Sequence, residues 1–400
     1  MSPLRGRRIV LGVTGGIAAY KAAEVCRRLV GAGAHVVPVL TAGALRMVGE
    51  TTFSALASEP AVTSLWKDPS SAIPHTSLGQ RADAVVVCPA TARLISDLRT
   101  GRSGDILTAT LLATRAPVIV APAMHTEMWE QPSVQENMAV LAERDVTVVG
   151  PVEGPLAGGD VGSGRMAEPA EIVAAVEAVL TPQDLAGRRV LVTSGGTREP
   201  IDAVRYVGNR SSGKQGAAVA SEAAARGAEV VLVTTEPDRA PAAARVVAVE
   251  TAAEMAAAVE LEAPGADAVV MAAAVADFRP ANPAGTKIKK GRGVPPLELE
   301  PTRDILASLG AAKPSGQVLV GFAAETEDLE ANALDKLRSK NLDVIVANDV
   351  SKEQVGFGHD TNEIVMFTAD GARHHVPLTT KREAARSVLD KVVALMEEAP

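Results

Sequence analysis

The feature that most constrains the fold is an aliphatic segment ending in glycines that occurs once in each half of the chain. Residues 7–13 (Arg-Arg-Ile-Val-Leu-Gly-Val) run into Thr14, Gly15 and Gly16, and residues 188–192 (Arg-Arg-Val-Leu-Val) run into Thr-Ser-Gly-Gly-Thr at 193–197. A short aliphatic run that ends in glycines is typical of a buried parallel strand followed by a tight turn. Each half is therefore predicted to begin with such a strand.

Both halves continue in the same way after this strand. An alanine-rich helical pattern follows at 17–30 and at 214–226, glycines end it, and a second aliphatic strand follows at 35–41 and at 229–234. Each half thus begins with a right-handed β-α-β unit. Further strands are predicted at 84–88, 118–121, 146–149, 268–273, 318–323, 344–347 and 363–367. This pattern predicts an α/β protein with two doubly wound, Rossmann-like domains.

The boundary between the two domains is predicted at a Pro-Gln-Asp-Leu-Ala-Gly stretch. It follows a predicted helix at 169–180. We expect a first domain at 1–181, a linker at 182–187 and a second domain at 188–400. A chain of 400 residues is long enough for two domains that each bury a core.

Charge and composition exclude several classes of function. A net charge of −8 and 2% aromatic residues oppose nucleic-acid binding. The chain has no apolar run of about 20 residues, so we expect no membrane partner. The apolar run at 9–13 is too short for a signal peptide. Cys26 and Cys88 lack the spacing of metal ligands or of a disulfide framework, which favours a cytoplasmic location.

Ligands of doubly wound sheets bind beyond the carboxyl ends of the strands. Residues 14–21 form a strand-to-helix turn whose backbone N–H groups could bind a phosphate. They match neither G-x-G-x-x-G nor the Walker sequence, so glycines that serve only a tight turn remain an equal alternative. Small residues at 88–92 and 121–124 could let a flat ring approach the backbone. The methionines and Trp129 beyond them could instead belong to the core.

His75 is predicted in a loop after Ile73 and Pro74. A lone loop histidine is more often incidental, but it is also the natural proton-transfer group near neutral pH.

Four motifs in the first half, taken in order, resemble the flavin-dependent cysteine decarboxylases over residues 4–180. They are Gly-Gly-Ile-Ala-Ala-Tyr-Lys at 15–21, Pro-His at 74–75, Pro-Ala-Thr-Ala at 89–92 and Pro-Ala-Met-x-x-x-Met-Trp at 122–129. The resemblance implies a flavodoxin-like fold, FMN as cofactor and His75 as the catalytic base. It implies that FMN contacts Gly15, Gly16, Ile17, Thr41, Pro89, Ala90, Thr91, Ala92 and Met124, and that substrate contacts His125, Met128, Arg165 and Met166.

The chemistry of that family explains its need for flavin. A cysteine carboxylate has no electron sink for the carbanion that remains when CO₂ departs. Flavin oxidises the carbon–sulfur unit to a thioaldehyde, which acts as that sink, and later returns the electrons.

Two positions depart from the family's pattern. His125 stands where the family usually has asparagine, and Gly158 stands where it has a cysteine, within a glycine-rich flap at 154–166 that we expect to be mobile. In the family, that cysteine helps the final reduction and protonation of an enethiol. Water or a nearby group such as His125 could supply the proton instead.

The second half carries phosphate-binding features of its own. Residues 205–216 place hydroxyls, glycines and cations before a helix, although an ordinary polar helix start is the alternative. Asp277 follows a buried strand, where it suits a divalent cation or a ribose hydroxyl. Lys287, Lys289 and Lys290 lie in a Gly/Pro-rich loop that could close over phosphates, or form a solvated charge run.

Five motifs of this half resemble phosphopantothenate–cysteine ligase over residues 186–396. They are Asn-x-Ser-Ser-Gly-Lys at 209–214, Ala-Val-Ala-Asp at 274–277, Lys-Ile-Lys-Lys at 287–290, Gly-Phe-Ala-Ala-Glu-Thr at 321–326 and Lys-Asn-Leu-Asp-x-Ile-x-Ala-Asn-Asp at 340–349. The whole chain is thus similar to the fused bacterial enzymes of coenzyme A synthesis. That resemblance implies CTP with Mg²⁺ or Mn²⁺, and an acyl-cytidylate attacked by the amine of cysteine. It also implies a dodecamer.

The same resemblance assigns roles to residues of the second half. It makes Asn209 a contact of the acyl group and Lys287 the lysine needed for activation, and it leaves Asp277 as a metal contact through the CTP phosphates. The implied contacts of phosphopantothenate are Arg205, Asn209, Ser211, Ser212 and Gly213. The implied contacts of CTP are Ala273, Ala274, Val275, Asp277, Lys287, Thr302, Arg303, Asp304, Ile305, Phe322, Lys336 and Lys340.

Two other functions remain as alternatives. A flavin domain without the usual cysteine could be a non-catalytic scaffold, although His75 opposes that interpretation. A nicotinamide-dependent oxidoreductase would suit two Rossmann-like halves. Neither half, however, has G-x-G-x-x-G followed by an acidic residue about 20 positions on.

Overall fold

The structure is a computed structural model that describes residues 2–66, 73–289, 296–325, 327–352, 354–356 and 358–398. It divides into two compact units, Ser2–Thr181 and Pro182–Pro400. Lys290 and Thr326, which belong to two of the sequence motifs, lie outside the described residues.

The first unit is built on a parallel sheet with the strand order β2-β1-β3-β4-β5. This is the flavodoxin-like order, so the predicted α/β class and its flavodoxin-like first domain are confirmed. The strands of the sheet are β1 (Arg8–Val13), β2 (His35–Leu40), β3 (Ala84–Ala90), β4 (Val118–Pro122) and β5 (Thr147–Val148).

An antiparallel hairpin follows the sheet, made of β6 (Val152–Pro155) and β7 (Val161–Arg165). The glycine-rich flap predicted at 154–166 is thus largely this hairpin.

Helices cover both faces of the first sheet, and therefore its central strands are apolar at nearly every position. One core contains Ile9 and Leu11 of β1, and the opposite core contains Val10 of β1 and Val85 of β3. The helices are α1 (Ala19–Gly31), α2 (Glu50–Leu56), α3 (Pro74–Arg81), α4 (Ala92–Thr100), α5 (Ile106–Ala113), α6 (Thr126–Trp129), α7 (Pro132–Glu143) and α8 (Pro169–Leu180).

The second unit has a mixed sheet with the order β12-β11-β8-β13-β16-β17-β18-β19. Pairing is parallel from β12 to β17 and antiparallel beyond, so the doubly wound Rossmann-like prediction is confirmed for its parallel part. The strands of this sheet are β8 (Arg189–Ser194), β11 (Glu229–Thr234), β12 (Arg245–Ala248), β13 (Ala268–Met271), β16 (Val318–Glu325), β17 (Val344–Asp349), β18 (Thr361–Thr368) and β19 (Arg373–Thr380).

Short hairpins and flanking helices complete the second unit. The hairpin strands are β9 (Arg198–Pro200), β10 (Tyr206–Gly208), β14 (Phe278–Pro280) and β15 (Leu299–Pro301). The helices are α9 (Lys214–Ala225), α10 (Ala252–Glu262), α11 (Ile305–Ala312), α12 (Leu329–Ser339) and α13 (Lys381–Glu398).

The two units share one device that holds adjacent parallel strands in register. An aspartate just before one strand accepts a hydrogen bond from the first backbone N–H of its neighbour. Asp83 accepts from Arg8 N at 2.7 Å and Asp267 from Arg189 N at 2.7 Å. Arg7 and Arg188 pair with the second oxygen of these carboxylates. The repeat recognised in the sequence therefore extends to polar contacts at the amino ends of the strands.

Three local predictions differ from the structure. His75 lies in the first turn of helix α3 rather than in a loop, because Pro74 begins that helix. Residues 182–187 are not a free linker, since Leu185 is fully buried in the core of the second unit and its N–H donates to Arg226 O. Strands β12 and β19 were not predicted, and both expose much of their length.

The helices that the structure describes include none with the length and apolar character of a membrane span.

Packing of α9 on α13 depends on a buried ion pair, which generates a stability prediction. Glu222 is 1% exposed and accepts from Arg386 at 2.8 and 3.2 Å, with Arg382 at 3.6 Å. Arg386→Met removes the closer of the two arginines that contact the buried carboxylate of Glu222. We expect a loss of about 3 kcal/mol in the free energy of unfolding of the second unit, measured by urea titration.

Arg373→Met is the matched control, because its 3.9 Å pair with Glu330 is exposed. Its effect should stay below about 0.5 kcal/mol. Equal effects of the two substitutions would contradict the assignment.

Candidate active sites

The first unit has a cavity of about 660 Å³ beyond the carboxyl ends of β1, β3 and β4. This volume is typical of small-molecule and cofactor sites. The lining residues come from the turn after β1, the start of α4, the segment around α6 and the β6–β7 hairpin. They are Gly15, Gly16, Ile17, Ala18, Tyr20, Lys21, Thr91, Ala92, Ala123, Met124, His125, Met128, Pro155, Leu156, Ala157, Gly164, Arg165 and Met166.

The turn after β1 is held against the end of β3 by Thr14. Its hydroxyl donates to Pro89 O at 2.7 Å and accepts from Thr91 N at 3.3 Å. Gly15 approaches the next loop so closely that a Cβ there would lie 2.8 Å from Gly43 Cα. Sequence reasoning missed Thr14, although its position at the end of a buried strand was the available signal.

The predicted flavin contacts fall into two groups. Gly15, Gly16, Ile17, Thr91, Ala92 and Met124 line the cavity. Thr41, Pro89 and Ala90 are buried. Thr41 supports the turn from behind, because its hydroxyl accepts from Ala44 N and donates to Val13 O.

The predicted substrate contacts His125, Met128, Arg165 and Met166 all line this same cavity. Lys21 joins them, and it is a site residue that the sequence interpretation did not single out. Lys21 and Arg165 meet at Glu168, with distances of 3.1 and 2.5 Å to its Oε1. Lys21, and then Arg165, lower the pKa of that carboxyl. The cavity therefore has one cationic side that suits an anionic ligand.

His125 lies beside the position of the absent cysteine. A Cβ built on Gly158 would be 3.0 Å from His125 Nε2. The imidazole is held between Glu127, 2.7 Å from Nδ1, and Asp160, 3.6 Å from Nε2. The hydrogen bond to Glu127, assisted by the charge of Asp160, raises the pKa of His125. An imidazole with a raised pKa thus lies beside the position where the resemblance predicts a thiol.

His75 is not among the described residues that line the cavity. Its Nδ1 is buried and has no hydrogen-bond partner within the described part of the chain. An unsatisfied buried nitrogen is uncommon in a folded protein, and it marks His75 as a group whose partner is not supplied by the described residues.

The second unit has a smaller cavity of about 90 Å³ at the carboxyl ends of its parallel strands. It brings together the start of α9, the segment after β13 and the start of α13. Its lining residues are Ser211, Ser212, Gly213, Lys214, Gln215, Gly216, Ala272, Ala273, Ala274, Phe322, Ala324, Asn348, Gly356, Asn362 and Lys381. Three of the predicted substrate residues and three of the predicted nucleotide residues meet here.

Asn209 and the loop that carries Lys287 are each held to another segment of the second unit by a hydrogen bond. Asn209 Nδ2 donates to Val275 O at 2.9 Å. Asp202 accepts from Ile288 N at 3.1 Å and from Arg205 at 3.2 Å, so it ties the loop that carries Lys287 to the segment before β10. Despite its own burial, the pKa of Asp202 is lowered by these backbone and Arg205 contacts.

Other predicted nucleotide contacts are distributed around this edge. Lys336 pairs with Glu325 at 2.6 Å, and Lys340 pairs with Asp304 at 2.8 Å. Thr302 and Arg303 line a separate cavity of about 460 Å³. Ile305 is buried at the start of α11, and Asp277 is exposed. Among the described residues, no cluster of three or more His, Cys, Asp or Glu side chains could hold a metal ion.

Comparisons with known proteins assign a class to each unit. The family described as "Flavoprotein" matches residues 2–181, and the family described as "DNA/pantothenate metabolism flavoprotein C-terminal domain" matches residues 185–396. The chain is thus a flavoprotein of pantothenate metabolism.

Relatives match over the whole chain. The Coenzyme A biosynthesis bifunctional protein CoaBC of Mycobacterium tuberculosis is 47% identical, over 98% of this chain and 97% of that protein. The CoaBC of Bacillus subtilis is 42% identical, over 99% and 98%. A crystal structure of the C-terminal domain of a CoaBC is 41% identical, covers 54% of this chain and 99% of that chain, and has a TM-score of 0.46.

The chain belongs to the family of bifunctional coenzyme A biosynthesis proteins CoaBC. It is an enzyme with ligase and decarboxylase activities, and phosphopantothenoylcysteine is synthesised and decarboxylated in this family's step of coenzyme A biosynthesis.

Proposed function

We propose that the two activities are divided between the two units. The second unit, with domain bounds at 188–400, joins cysteine to phosphopantothenate with CTP. The first, at 1–181, decarboxylates the product to phosphopantetheine with FMN. The observation that carries the proposal is the 660 Å³ cavity, because it gathers the motifs of residues 15–17, 91–92 and 124–128 at one edge of the flavodoxin-like sheet.

The residues of the first cavity fit a flavin. The close approach of Gly15 to Gly43 leaves the turn after β1 free of side chains, so a ring or phosphate can lie against its backbone. Bound FMN would supply a two-electron acceptor for the cysteine carbon–sulfur unit, and the oxidised unit would take up the electron pair left when CO₂ departs. Lys21 and Arg165 bind and orient the anionic substrate.

His75 acts as the base of this reaction. Its buried and unsatisfied Nδ1 supports the assignment, because that nitrogen has a lone pair or a proton without a partner among the described residues. The alternative of a non-catalytic flavin scaffold offers no reason for such a group.

His125 supplies the final proton in place of the family's cysteine. Its Nε2 lies 3.0 Å from the position of a Gly158 Cβ, and the hydrogen bond to Glu127 raises the pKa of His125, so the imidazole holds its proton to a higher pH than a free histidine does. Water is the competing proton donor, and the ratio of enethiol to phosphopantetheine in the product distinguishes water from His125.

The second unit activates a carboxylate, which is a poor electrophile until it is joined to a nucleotide phosphate. Asn209 contacts the acyl group, and Lys287 offsets the charge that develops at the α-phosphate of CTP. The anchoring of Ile288 by Asp202 supports this role, because it holds the Lys287 loop to the segment that leads into Asn209. Asp277 would help hold Mg²⁺ or Mn²⁺ at the CTP phosphates, where the ion would offset their negative charge.

The assembly and location follow the family. We expect a dodecamer in the cytoplasm. The buried, unpaired thiols of Cys26 and Cys88 support a reducing compartment.

His75→Asn should abolish CO₂ release from phosphopantothenoylcysteine, because the substituted side chain cannot take up the proton. Bound flavin, measured by its visible spectrum, and ligase activity, measured by pyrophosphate release, should remain. His35→Asn is the control, since His35 is a half-exposed partner of Glu59 outside the cavity. Wild-type decarboxylation by His75→Asn would refute the role.

Lys287→Gln should slow cytidylation, because the positive charge beside the α-phosphate is lost. We expect the transition state to lose about 2–4 kcal/mol of stabilisation. The rate of pyrophosphate release with phosphopantothenate and CTP measures this loss. The same assay with ATP in place of CTP compares the two nucleotides. Lys289→Gln in the same loop is the matched control. If Lys287→Gln is unchanged, Lys289 or Lys290 carries the charge, or the loop is inert.

His125→Asn should raise the proportion of enethiol or oxidised product relative to phosphopantetheine, because the proton donor is removed. Mass analysis measures this ratio. Gly158→Cys should lower the proportion of enethiol or oxidised product. An unchanged ratio in His125→Asn assigns the proton to water. A wild-type enzyme that accumulates mainly enethiol would limit the first unit to a half-reaction.

A further inference from the structure

Lys381 is a buried cation of the second unit that no step proposed above uses. Lys381 is the first residue of α13, is 6% exposed and lines the 90 Å³ cavity of the second unit. Its Nζ donates to Gly356 O at 2.9 Å. An ammonium has three donors, and a buried lysine normally pairs with a carboxylate. The described residues place no carboxylate in an ion pair with Lys381.

A second lysine increases the positive charge of the same cavity. Lys214, at the start of α9, donates to Asp360 at 2.6 Å and to Gly358 O at 3.2 Å. Asp360 is 89% exposed, so water screens it. Burial and then the charge of Lys214 lower the pKa of Lys381 to about 8, against a weaker opposite effect of Asp360. The N-terminal dipole of the twelve-residue α9 adds to this positive potential.

Three neutral polar side chains of the lining are linked by hydrogen bonds, and apolar residues such as Phe322 form the rest of the wall. Asn362 donates to Gln215 Oε1 at 3.2 Å and accepts from Asn348 at 3.4 Å. Gln215 in turn donates to Lys381 O at 3.3 Å. These contacts hold the ends of α9, β17 and β18 around the ammonium. At about 90 Å³ the cavity is far smaller than a site for a whole nucleotide, and it suits one tetrahedral anionic group.

We propose that Lys381 and Lys214 form a subsite that binds a phosphate group of a reactant of the ligase reaction. The inference rests on the proposed ligase activity of this unit. Two reactants carry such a group, the nucleotide and phosphopantothenate, and the experiment distinguishes them. Lys381 is a binding residue here, and its hydrogen bond to Gly356 O orients it.

The test uses the full-length enzyme and measures KM and kcat for CTP and for phosphopantothenate by pyrophosphate release. Lys381→Gln keeps a donor for Gly356 O and removes the charge. It should raise the KM of one reactant about tenfold, as expected for a lost charge-assisted hydrogen bond, and leave the other KM within twofold. Lys214→Gln should raise the same KM. Lys313→Gln is the control, because Lys313 pairs with Asp343 at 2.8 Å on another element.

Each outcome decides the matter. A selective rise in KM for CTP places a nucleotide phosphate in the subsite, and a selective rise for phosphopantothenate places its phosphate there. Unchanged KM values in Lys381→Gln overturn the inference, and so do equal changes in both KM values. If Lys381→Gln does not fold, unchanged KM values in Lys214→Gln overturn it. A wild-type enzyme that forms no phosphopantothenoylcysteine with CTP refutes the proposed function instead.

Discussion

Parallel pairing on both sides of one central strand is the constraint on which both sites depend. β1 pairs with β2 and β3, and β8 pairs with β11 and β13. Because all these strands point the same way, their following turns meet at one edge. Thr14 is then near enough to bond Pro89 and Thr91, and Thr193 near enough to accept from Ala273 N. Segments distant in sequence become the wall of one cavity.

The two edges differ in charge and size because different side chains follow similar strands. The first cavity is large, with an apolar floor and one cationic side where Lys21 and Arg165 share Glu168. The second is small, and the cations Lys214 and Lys381 line it. A planar cofactor suits the former, and single anionic groups suit the latter. One fold class thus supports two chemistries by varying the residues beyond its strands.

The two departures from the decarboxylase pattern, His125 and Gly158, are explained by their positions in the structure. His125 and Gly158 are far apart in the sequence but lie next to each other in the structure. A thiol at 158 would crowd the imidazole, since its Cβ alone would be 3.0 Å from Nε2. The histidine and the glycine are therefore compatible as a pair. Glu127 and Asp160 keep the imidazole basic.

The sequence by itself determined the fold class, the repeated β-α-β units and the motifs at the strand ends, because aliphatic runs and glycine turns report local preference and burial directly. Tertiary structure decided the remainder. Exposed strands such as β19 lack an apolar pattern that could be recognised.

Lys21 and Lys381 could not be assigned from sequence, because a lysine there is locally ordinary. Only chain packing shows that Lys381 is buried without a carboxylate partner among the described residues and that Thr14 joins two strands. The physical reason is that pairing and burial depend on residues far away in the chain, whereas periodicity depends on adjacent ones.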